Sequence, residues 1–310
     1  MNSVTNNIIE ISNMSFAYSN KTILENISFQ LKKGEIAVFL GKSGVGKTTF
    51  IKLIAGLEHP DVGEIRKFGI SLSDDDFFIP PNKRNIAVVF QEDSLFPHLN
   101  IFENIKLANK NVSREEIQNY FKIFQLEINV NQFPHQLSGG QKQRVATIRA
   151  LIQNPDCILF DEPFSALDYH LREKLRRKLR SILKDNGTSA IFITHDIDEA
   201  LIMADKVHVM HKQRIIQSGT VSDILKNPLN KFVAKFLGSG LVIPGDVINS
   251  VYKTEQSTNK SYFIPFKDFQ IDNSDSIIGI DAYITDKNFS SGNYYEYYFH
   301  LVESDHEFGP

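Results

Sequence analysis

Read from its N-terminus, the chain first alternates apolar and polar residues, from Ile8 to Met14 and again from Ile27 to Leu31. That is the period of strands with one face buried, and Gly34-Glu35 marks the turn after them. The pattern then changes. Ile36-Ala37-Val38-Phe39-Leu40 is apolar without interruption, as a strand covered on both faces of a sheet requires. Unbroken runs recur at Ile86 to Phe90, Cys157 to Phe160 and Ala190 to Thr194. Between them the period lengthens to that of helices. Thr48 to Ala55 predicts a short helix stopped by Gly56, Ile101 to Gln153 is mostly helical with Ser113-Arg114-Glu115-Glu116 as a capping box, and Tyr169 to Lys184 is a charged helix. Buried strands alternating with helices predict an α/β core carrying a helical insertion. Beyond Gly238-Ser239-Gly240 the pattern is β-rich at Tyr262 to Phe266, Ile277 to Tyr283 and Tyr294 to Leu301, divided by turns such as Ser290-Ser291-Gly292-Asn293. This predicts a small β-barrel domain.

Composition narrows the function classes. The 310 residues carry a formal charge of −3 and a pI near 6.3, which gives no support to a strongly basic nucleic-acid binder. The one cysteine, Cys157, lies in an apolar run and reads as a small buried hydrophobe, and such sparse cysteine suits a reducing compartment. Met1-Asn2-Ser3-Val4-Thr5-Asn6-Asn7 has no basic stretch followed by an apolar one, so no signal peptide is expected. No run approaches the ~18 apolar residues of a membrane span, so a pore would have to belong to another chain.

The chemistry starts at Gly41-Lys42-Ser43-Gly44-Val45-Gly46-Lys47-Thr48, which fits the phosphate-loop pattern G-x-x-x-x-G-K-[ST], the Walker A motif. Glycines let backbone N–H groups close around phosphate oxygens, Lys47 reaches the β- and γ-phosphates, and Thr48 can ligate Mg²⁺. A buried strand precedes the loop and a helix follows it, as the motif demands. Phe160-Asp161-Glu162-Pro163 ends another buried strand with two carboxylates. They can divide the labour, Asp161 holding Mg²⁺ and Glu162 polarising an attacking water. By itself this pair could equally cap the next element; a phosphate loop on the neighbouring strand favours catalysis. Ser138 with Gly139-Gly140 opens a helix whose N-terminus is an anion site, with an ordinary helix cap as the plainer reading. The basic helix has leucines at 171, 175 and 179 on one stripe, so its charges are expected on a solvated face, with nucleic acid or acidic lipid as the less favoured use.

Leu137-Ser138-Gly139-Gly140-Gln141-Lys142-Gln143-Arg144, standing between that loop and Ile158-Leu159-Phe160-Asp161-Glu162 and followed by His195, resembles the signature of ABC transporter nucleotide-binding subunits. The resemblance covers roughly the first three quarters of the chain. It implies a P-loop NTPase (ABC ATPase) core over residues 1–237, with a helical subdomain at about 92–154, and makes 241–310 a β-rich TOBE-like domain. It implies ATP and Mg²⁺ as ligands, with Thr49 added to the ATP contacts of the phosphate loop. His195 becomes the switch histidine at the γ-phosphate, and Gln91 the glutamine that touches Mg²⁺ and water. Tyr18 is the aromatic stacked on adenine, with Phe16 as its competitor. Ser138, Gly139, Gly140 and Gln141, with Asp168 of Ser165-Ala166-Leu167-Asp168, act in trans on nucleotide held by a second copy, in a head-to-tail homodimer.

Three further strings look most like the ferric-iron and spermidine/putrescine importer ATPases: Val89-Phe90-Gln91-Glu92-Asp93-Ser94-Leu95-Phe96-Pro97-His98-Leu99, Pro80-Pro81-Asn82-Lys83-Arg84-Asn85, and Gln217-Ser218-Gly219-Thr220. The implied partners are an integral-membrane permease, received in a groove at Phe96, Pro97, His98, Phe102 and Glu103, and indirectly a solute-binding protein. No nucleic acid is expected, and the implied place is the cytoplasmic face of the inner membrane, as a peripheral subunit. A soluble ABC ATPase acting on nucleic acid or ribosomes is the alternative. Against it, the chain has neither a long coiled-coil insertion nor a second cassette. Two positions depart from the family pattern. Lys42 replaces a commoner proline, and the C-terminal region has Ile264-Pro265-Phe266-Lys267-Asp268 where an Arg-Pro-Glu string is often found.

Overall fold

The computed structural model describes residues 6–91 and 95–237, and beyond these only the strands at 240–244, 261–265, 282–289, 295–301 and 307–308. The chain divides into two compact units, Met1–Val221 and Ser222–Pro310.

The first unit opens with β1 (Asn7–Tyr18) and β2 (Lys21–Lys32), an antiparallel pair. Both strands run longer than the alternation indicates. Register shifts near Met14 and Phe16 break the two-residue period, and Asn13 and Asn26 take up the irregularity at φ 50° and 49°, a region asparagine tolerates. β3 (Ile36–Leu40), wholly buried, leads through the glycine loop into α1 (Lys47–Ala55), which ends at Gly56 with φ 78°. β4 (Val62–Lys67) and β5 (Ile70–Ser73) complete a four-stranded sheet in the order β2-β1-β4-β5.

β6 (Ile86–Val89) then starts the helical stretch: α2 (Ile101–Lys106), α3 (Arg114–Ile123) and α4 (Gly139–Ile152). Ser113 accepts from Glu116 N at 3.0 Å, one half of the expected box; full reciprocal boxes form at Asn100/Glu103 and Ser138/Gln141. β7 (Cys157–Asp161), α5 (Tyr169–Asp185), β8 (Ser189–Thr194), α6 (Ile197–Met203), β9 (Lys206–His211) and β10 (Arg214–Gly219) finish the unit.

The second sheet has the order β10-β9-β3-β8-β7-β6, parallel except for the edge strand β10. This corrects one expectation. The strand carrying Asp161 is not the neighbour of the phosphate-loop strand; β8 lies between them. Local pattern identifies buried strands, but crossovers decide their order. The two sites still meet because α1, leaving β3, packs against β7. Both sheets share one core around this helix, with Phe39 4.5 Å from Phe50 and 5.0 Å from Phe29 between ring centroids.

The basic helix α5 also departs from expectation. Leu175 and Leu179 are buried as the stripe predicts, whereas Leu171 is half-buried, and Arg176 is buried with Leu183 on the same helix, paired with Asp196. Arg180 and Lys184 both bond Asp205. Much of the positive charge is matched by carboxylates of the same unit rather than offered to solvent.

In the second unit, α7 (Val221–Lys226) and α8 (Lys231–Leu237) precede β11 (Gly240–Pro244) and β12 (Ser261–Pro265), an antiparallel pair against which α8 packs. That packing puts the division between units at Val221/Ser222, ahead of the boundary near 237 that the pattern suggests. β13 (Ala282–Phe289), β14 (Tyr295–Leu301) and β15 (Glu307–Phe308) form a second antiparallel sheet. Among the described residues no pairing joins the two sheets into a barrel. Glu92, Asp93, Ser94, the Gly238-Ser239 step, Phe266 to Asp268, Ile277 to Asp281 and the Ser290 to Asn293 turn lie outside the described residues.

Candidate active site

Three of the buried parallel strands deliver their chemistry at their C-terminal ends, where α/β sheets present ligand sites. At the end of β3, Lys47 folds back over its own loop. Its Nζ donates to Gly41 O at 2.7 Å and Lys42 O at 3.2 Å. Burial lowers the pKa of this ammonium, while the carboxylates of Glu162 and Asp161 pull it the other way. α1 is preceded by Gly46, whose φ of 104° L side chains rarely adopt and whose added Cβ would stand 2.7 Å from Ile23 O. No side chain caps this helix, so its first N–H groups are available to an anion.

The Thr48 hydroxyl lies beside the Asp161 carboxyl, across the gap that α1 bridges. Burial raises the pKa of the Asp161 carboxyl, against the Thr48 hydroxyl and the Lys47 charge, which lower it. Among the described residues no group of three His, Cys, Asp or Glu is set to hold a metal. The Thr48 hydroxyl and Asp161 carboxylate are a pair of hard oxygen donors beside a phosphate loop. Mg²⁺ suits that set, since it uses one or two protein oxygens and completes its shell with phosphate and water.

Glu162, next in the chain, sits at φ 46°, a left-handed conformation that costs a non-glycine residue about 1–2 kcal/mol. Its flanking peptides are held on both sides. Glu162 N donates to Ile193 O at 3.0 Å, and Glu162 O accepts from Ser165 N at 3.2 Å, Ser165 Oγ at 3.0 Å and Gln143 Nε2 at 2.9 Å. The bend aims the carboxylate at the end of β8, where Oε1 lies 2.8 Å from His195 Nδ1. Outlier backbone at a carboxylate paired with a histidine is a mark of a working site. A cavity of about 100 Å³ adjoins Glu162 and His195, room enough for water.

Behind His195 is a network whose members pattern reading does not reveal. Asp196 caps α6 by accepting from Glu199 N at 3.2 Å, pairs with Arg176, and approaches Arg172 at 3.5 Å. Arg172 also donates to Leu167 O at 2.9 Å. Burial pushes the Glu199 carboxyl up to about 8, despite Arg176 at 3.6 Å. Arg84 is a second unforeseen element. It is fully buried and donates to Leu53 O and Ile54 O, both at 2.9 Å, at the C-terminal end of α1. A cation there complements the helix dipole, although burial lowers its pKa to about 10. The only sign of it in the sequence is an arginine just before a buried strand.

The signature residues lie elsewhere. Ser138 Oγ accepts from Gln141 N at 3.3 Å and Gln141 Oε1 accepts from Ser138 N at 2.8 Å, so α4 is capped by its own side chains. Asp168 caps α5, accepting from Leu171 N at 3.0 Å. Ser138, Gly139 and Asp168 are exposed. The side chains of α4 bond Phe124, Gln125, Glu162, Ser165 and Ala166, and among the described residues none of these bonds reaches the phosphate loop. Gln91 is exposed just past the end of β6, the sheet's edge strand. Of the two N-terminal aromatics, Phe16 is buried, whereas Tyr18 is 41% exposed, hydrogen-bonded to Glu58 at 2.8 Å and to Thr49. Phe96, Pro97, His98 and Glu103 are exposed and Phe102 is half-buried. No described helix is long and apolar enough to cross a membrane.

Comparison with known proteins extends this picture. A family profile described as ABC transporter matches residues 24–165. The chain is 41% identical over 255 residues to the Fe(3+) ions import ATP-binding protein FbpC of Haemophilus influenzae, a match covering 79% of this chain and 72% of that protein. It is 42% identical over 248 residues to the spermidine/putrescine import ATP-binding protein PotA of Clostridium novyi, covering 78% and 70%. Among solved structures, a dimeric ATP-binding cassette in a post-hydrolysis state bound to ADP and Pi aligns at TM-score 0.60 and 28% identity, covering 69% of this chain and 99% of that one. A bacterial Atm1-family ABC exporter with ATP bound aligns at TM-score 0.67 and 25% identity, covering 76% and 42%.

Proposed function

The chain belongs to the ABC transporter family, among its ATP-binding proteins, and from that premise we propose how its residues hydrolyse ATP and what the hydrolysis drives. The observation that carries the reading is the convergence of Lys47, the neighbouring Thr48 and Asp161, and the Glu162–His195 pair at the ends of β3, β7 and β8.

The N–H groups from Gly41 to Thr49 and the Lys47 ammonium hold the triphosphate, a charge-assisted arrangement in a partly dry site. Thr48 and Asp161 would hold Mg²⁺, with Gln91 approaching from β6; the ion, when bound, neutralises charge developing on the phosphates. Tyr18 offers its exposed ring to adenine. Glu162 takes the proton of the attacking water. The ionised carboxylate favours the His195 tautomer in which Nδ1–H donates to it, leaving Nε2 toward the nucleotide. Ser138, Gly139, Gly140 and Gln141 of one copy, with Asp168, close over the γ-phosphate held by another, so two copies enclose two ATP molecules head to tail. Closing and reopening of that dimer is the mechanical output.

The output drives import through a separate permease at the cytoplasmic face of the membrane, supplied by a solute-binding protein. Relatives named for import of Fe(3+) and of spermidine/putrescine support this and point to a cationic or metal-ion cargo. The exposed Phe96-Pro97-His98 segment is the docking groove of the permease. Residues 241–310 are the β-rich TOBE-like domain. The rival reading, a soluble ABC ATPase working on nucleic acid or ribosomes, loses its main support because α5 arginines and lysine are matched by Asp196 and Asp205. Purification with an integral-membrane protein supports import; purification with RNA or DNA supports the rival.

Glu162→Gln tests the chemistry. A general base contributes about 10²–10⁴-fold, so turnover should nearly stop while ATP and Mg²⁺ still bind. Size-exclusion chromatography with ATP and Mg²⁺ should then show a stable dimer, where the parent elutes mainly as monomer. Turnover at the parental rate would mean that another group is the base.

A further inference from the structure

One hydrogen-bonded link between the signature helix and the catalytic strand has no part in the mechanism above. Gln143 is 4% exposed, one turn into α4. Its Nε2 donates to Glu162 O at 2.9 Å and lies 3.4 Å from Ser165 Oγ, and its Oε1 accepts from Ala166 N at 3.4 Å. One amide therefore supplies a donor to the peptide after Glu162 and an acceptor to an N–H four residues on. The other donors to Glu162 O, Ser165 N and Ser165 Oγ, belong to the same turn; among the described residues Gln143 is the donor from another element.

That matters because Glu162 is held at φ 46°, where a side chain stays only if its surroundings over-determine it. Rotation of the peptide toward an ordinary conformation would swing the carboxylate away from His195 Nδ1, now 2.8 Å from it. The contact is also tight. An added Cβ on Gly140 would stand 2.8 Å from Leu167 Cδ2 and 2.9 Å from Ala166 O, so α4 cannot shift along this segment without moving it.

We propose that Gln143 is a positioning residue for Glu162 and couples the two nucleotide sites of the dimer. The start of α4 serves the partner's nucleotide, while Glu162 serves the chain's own. Engagement of Ser138–Gly140 on one ATP is thereby felt at the carboxylate that deprotonates the water attacking the other. The inference rests on the assignment of Glu162 as base and on the head-to-tail dimer.

Gln143→Met keeps the side chain's length and volume and removes both polar partners. In steady-state ATPase assays of the whole chain, kcat should fall about ten- to a hundredfold, the size of a small misplacement at a reacting centre. Nucleotide affinity, read with a fluorescent ATP analogue, should stay within about twofold, a loss confined to the transition state. The Hill coefficient for ATP should drop toward about one, as coupling between sites is lost. Ser165→Ala, which removes one donor from the same carbonyl through an exposed residue, should lower kcat less and leave cooperativity in place. Parental kcat and cooperativity in Gln143→Met overturn the proposal, as does an affinity loss that matches the loss in kcat. If Gln143→Met does not fold, Gln143→Glu decides, since it removes the Nε2 donor to Glu162 O while keeping the side chain's size: reduced kcat and a lower Hill coefficient at parental affinity support the proposal, and parental kcat and cooperativity overturn it. Glu162→Gln turning over normally would strike the base assignment itself, a result separable from any of these.

Discussion

Two helices of this chain start beside glycines, α1 at Lys47 and α4 at Gly139, and their first turns are finished in opposite ways. α1 has no side-chain cap; a buried lysine and a glycine at φ 104° surround its free N–H groups. α4 is closed by its own reciprocal box, Ser138 with Gln141, and the Gly140 of its first turn is demanded by close contact with Ala166 and Leu167 rather than by backbone angle. Both are helix N-termini next to glycine, yet only the first is built to hold an anion by itself. The second is finished without a ligand and exposes Ser138 and Gly139 to solvent. The difference fits the proposed head-to-tail dimer, in which the phosphate loop is the half of a site with its own charge and the signature supplies shape and a few donors once a second molecule brings a phosphate to it.

The largest expected effect lies on the α1 side. Lys47→Ala removes a charged donor worth about 3 kcal/mol, which is about a hundredfold in nucleotide affinity. Equilibrium binding should show that loss, and unchanged affinity would remove the phosphate-loop assignment. On the α4 side the signature variant Ser138→Arg should fold and bind nucleotide with parental affinity, yet fail to hydrolyse it. Loss of binding in that variant would put the signature in the chain's own site and erase the contrast.

These two starts were also unequally legible. The phosphate loop is a fixed local spacing between an unbroken apolar run and a helix, so its residues and its place in the fold follow from reading along the chain. The same holds for β7 and β8, whose Cys157 to Phe160 and Ala190 to Thr194 runs are wholly buried. What could not be read was anything that depends on chain crossing. β8 separates β3 from β7, Arg84 reaches back to Leu53 and Ile54, and Gln143 reaches forward to Glu162. Each pairs residues far apart in sequence, where neither period nor motif carries information. The φ of Glu162 belongs to the same class, since nothing around Phe160-Asp161-Glu162-Pro163 announces a left-handed residue.

Smaller effects sharpen the comparison. Gly140→Ala should cost about 1–3 kcal/mol through overpacking, read as a lower denaturation midpoint, because its Cβ would stand 2.8 Å from Leu167 Cδ2. Gly139→Ala has 3.8 Å to the Ala166 Cβ and should leave stability unchanged. Equal losses in the two would show that backbone conformation, not contact, sets the need for glycine here.

The smallest effect concerns the sheet beneath the phosphate loop. His208 stacks on Phe39 at 4.8 Å, and burial, then the Lys206 charge, lowers its pKa to about 4. The folded pKa is below the unfolded value, so the unfolded chain takes up the proton first. Stability is therefore full above about pH 6.5 and is lost as pH falls toward 4. Between pH 7 and 5.5 the loss should be about 1 kcal/mol. Urea unfolding should show it in the parent but not in His208→Phe, which keeps the stack; identical pH profiles would contradict it.

The central claim is that each working site joins α1 of one copy to α4 of another. Mixing Lys47→Ala with Ser138→Arg tests it most directly, because each is inactive as a homodimer. Head to tail, a mixed dimer has one site damaged on both sides and one site with intact loop and signature. Equal mixing should therefore restore clear hydrolysis, at most roughly a quarter of the parental rate, because half of randomly paired dimers are mixed, each keeps one intact site, and coupling to its damaged site slows that one. A mixture as inactive as its components would contradict the account.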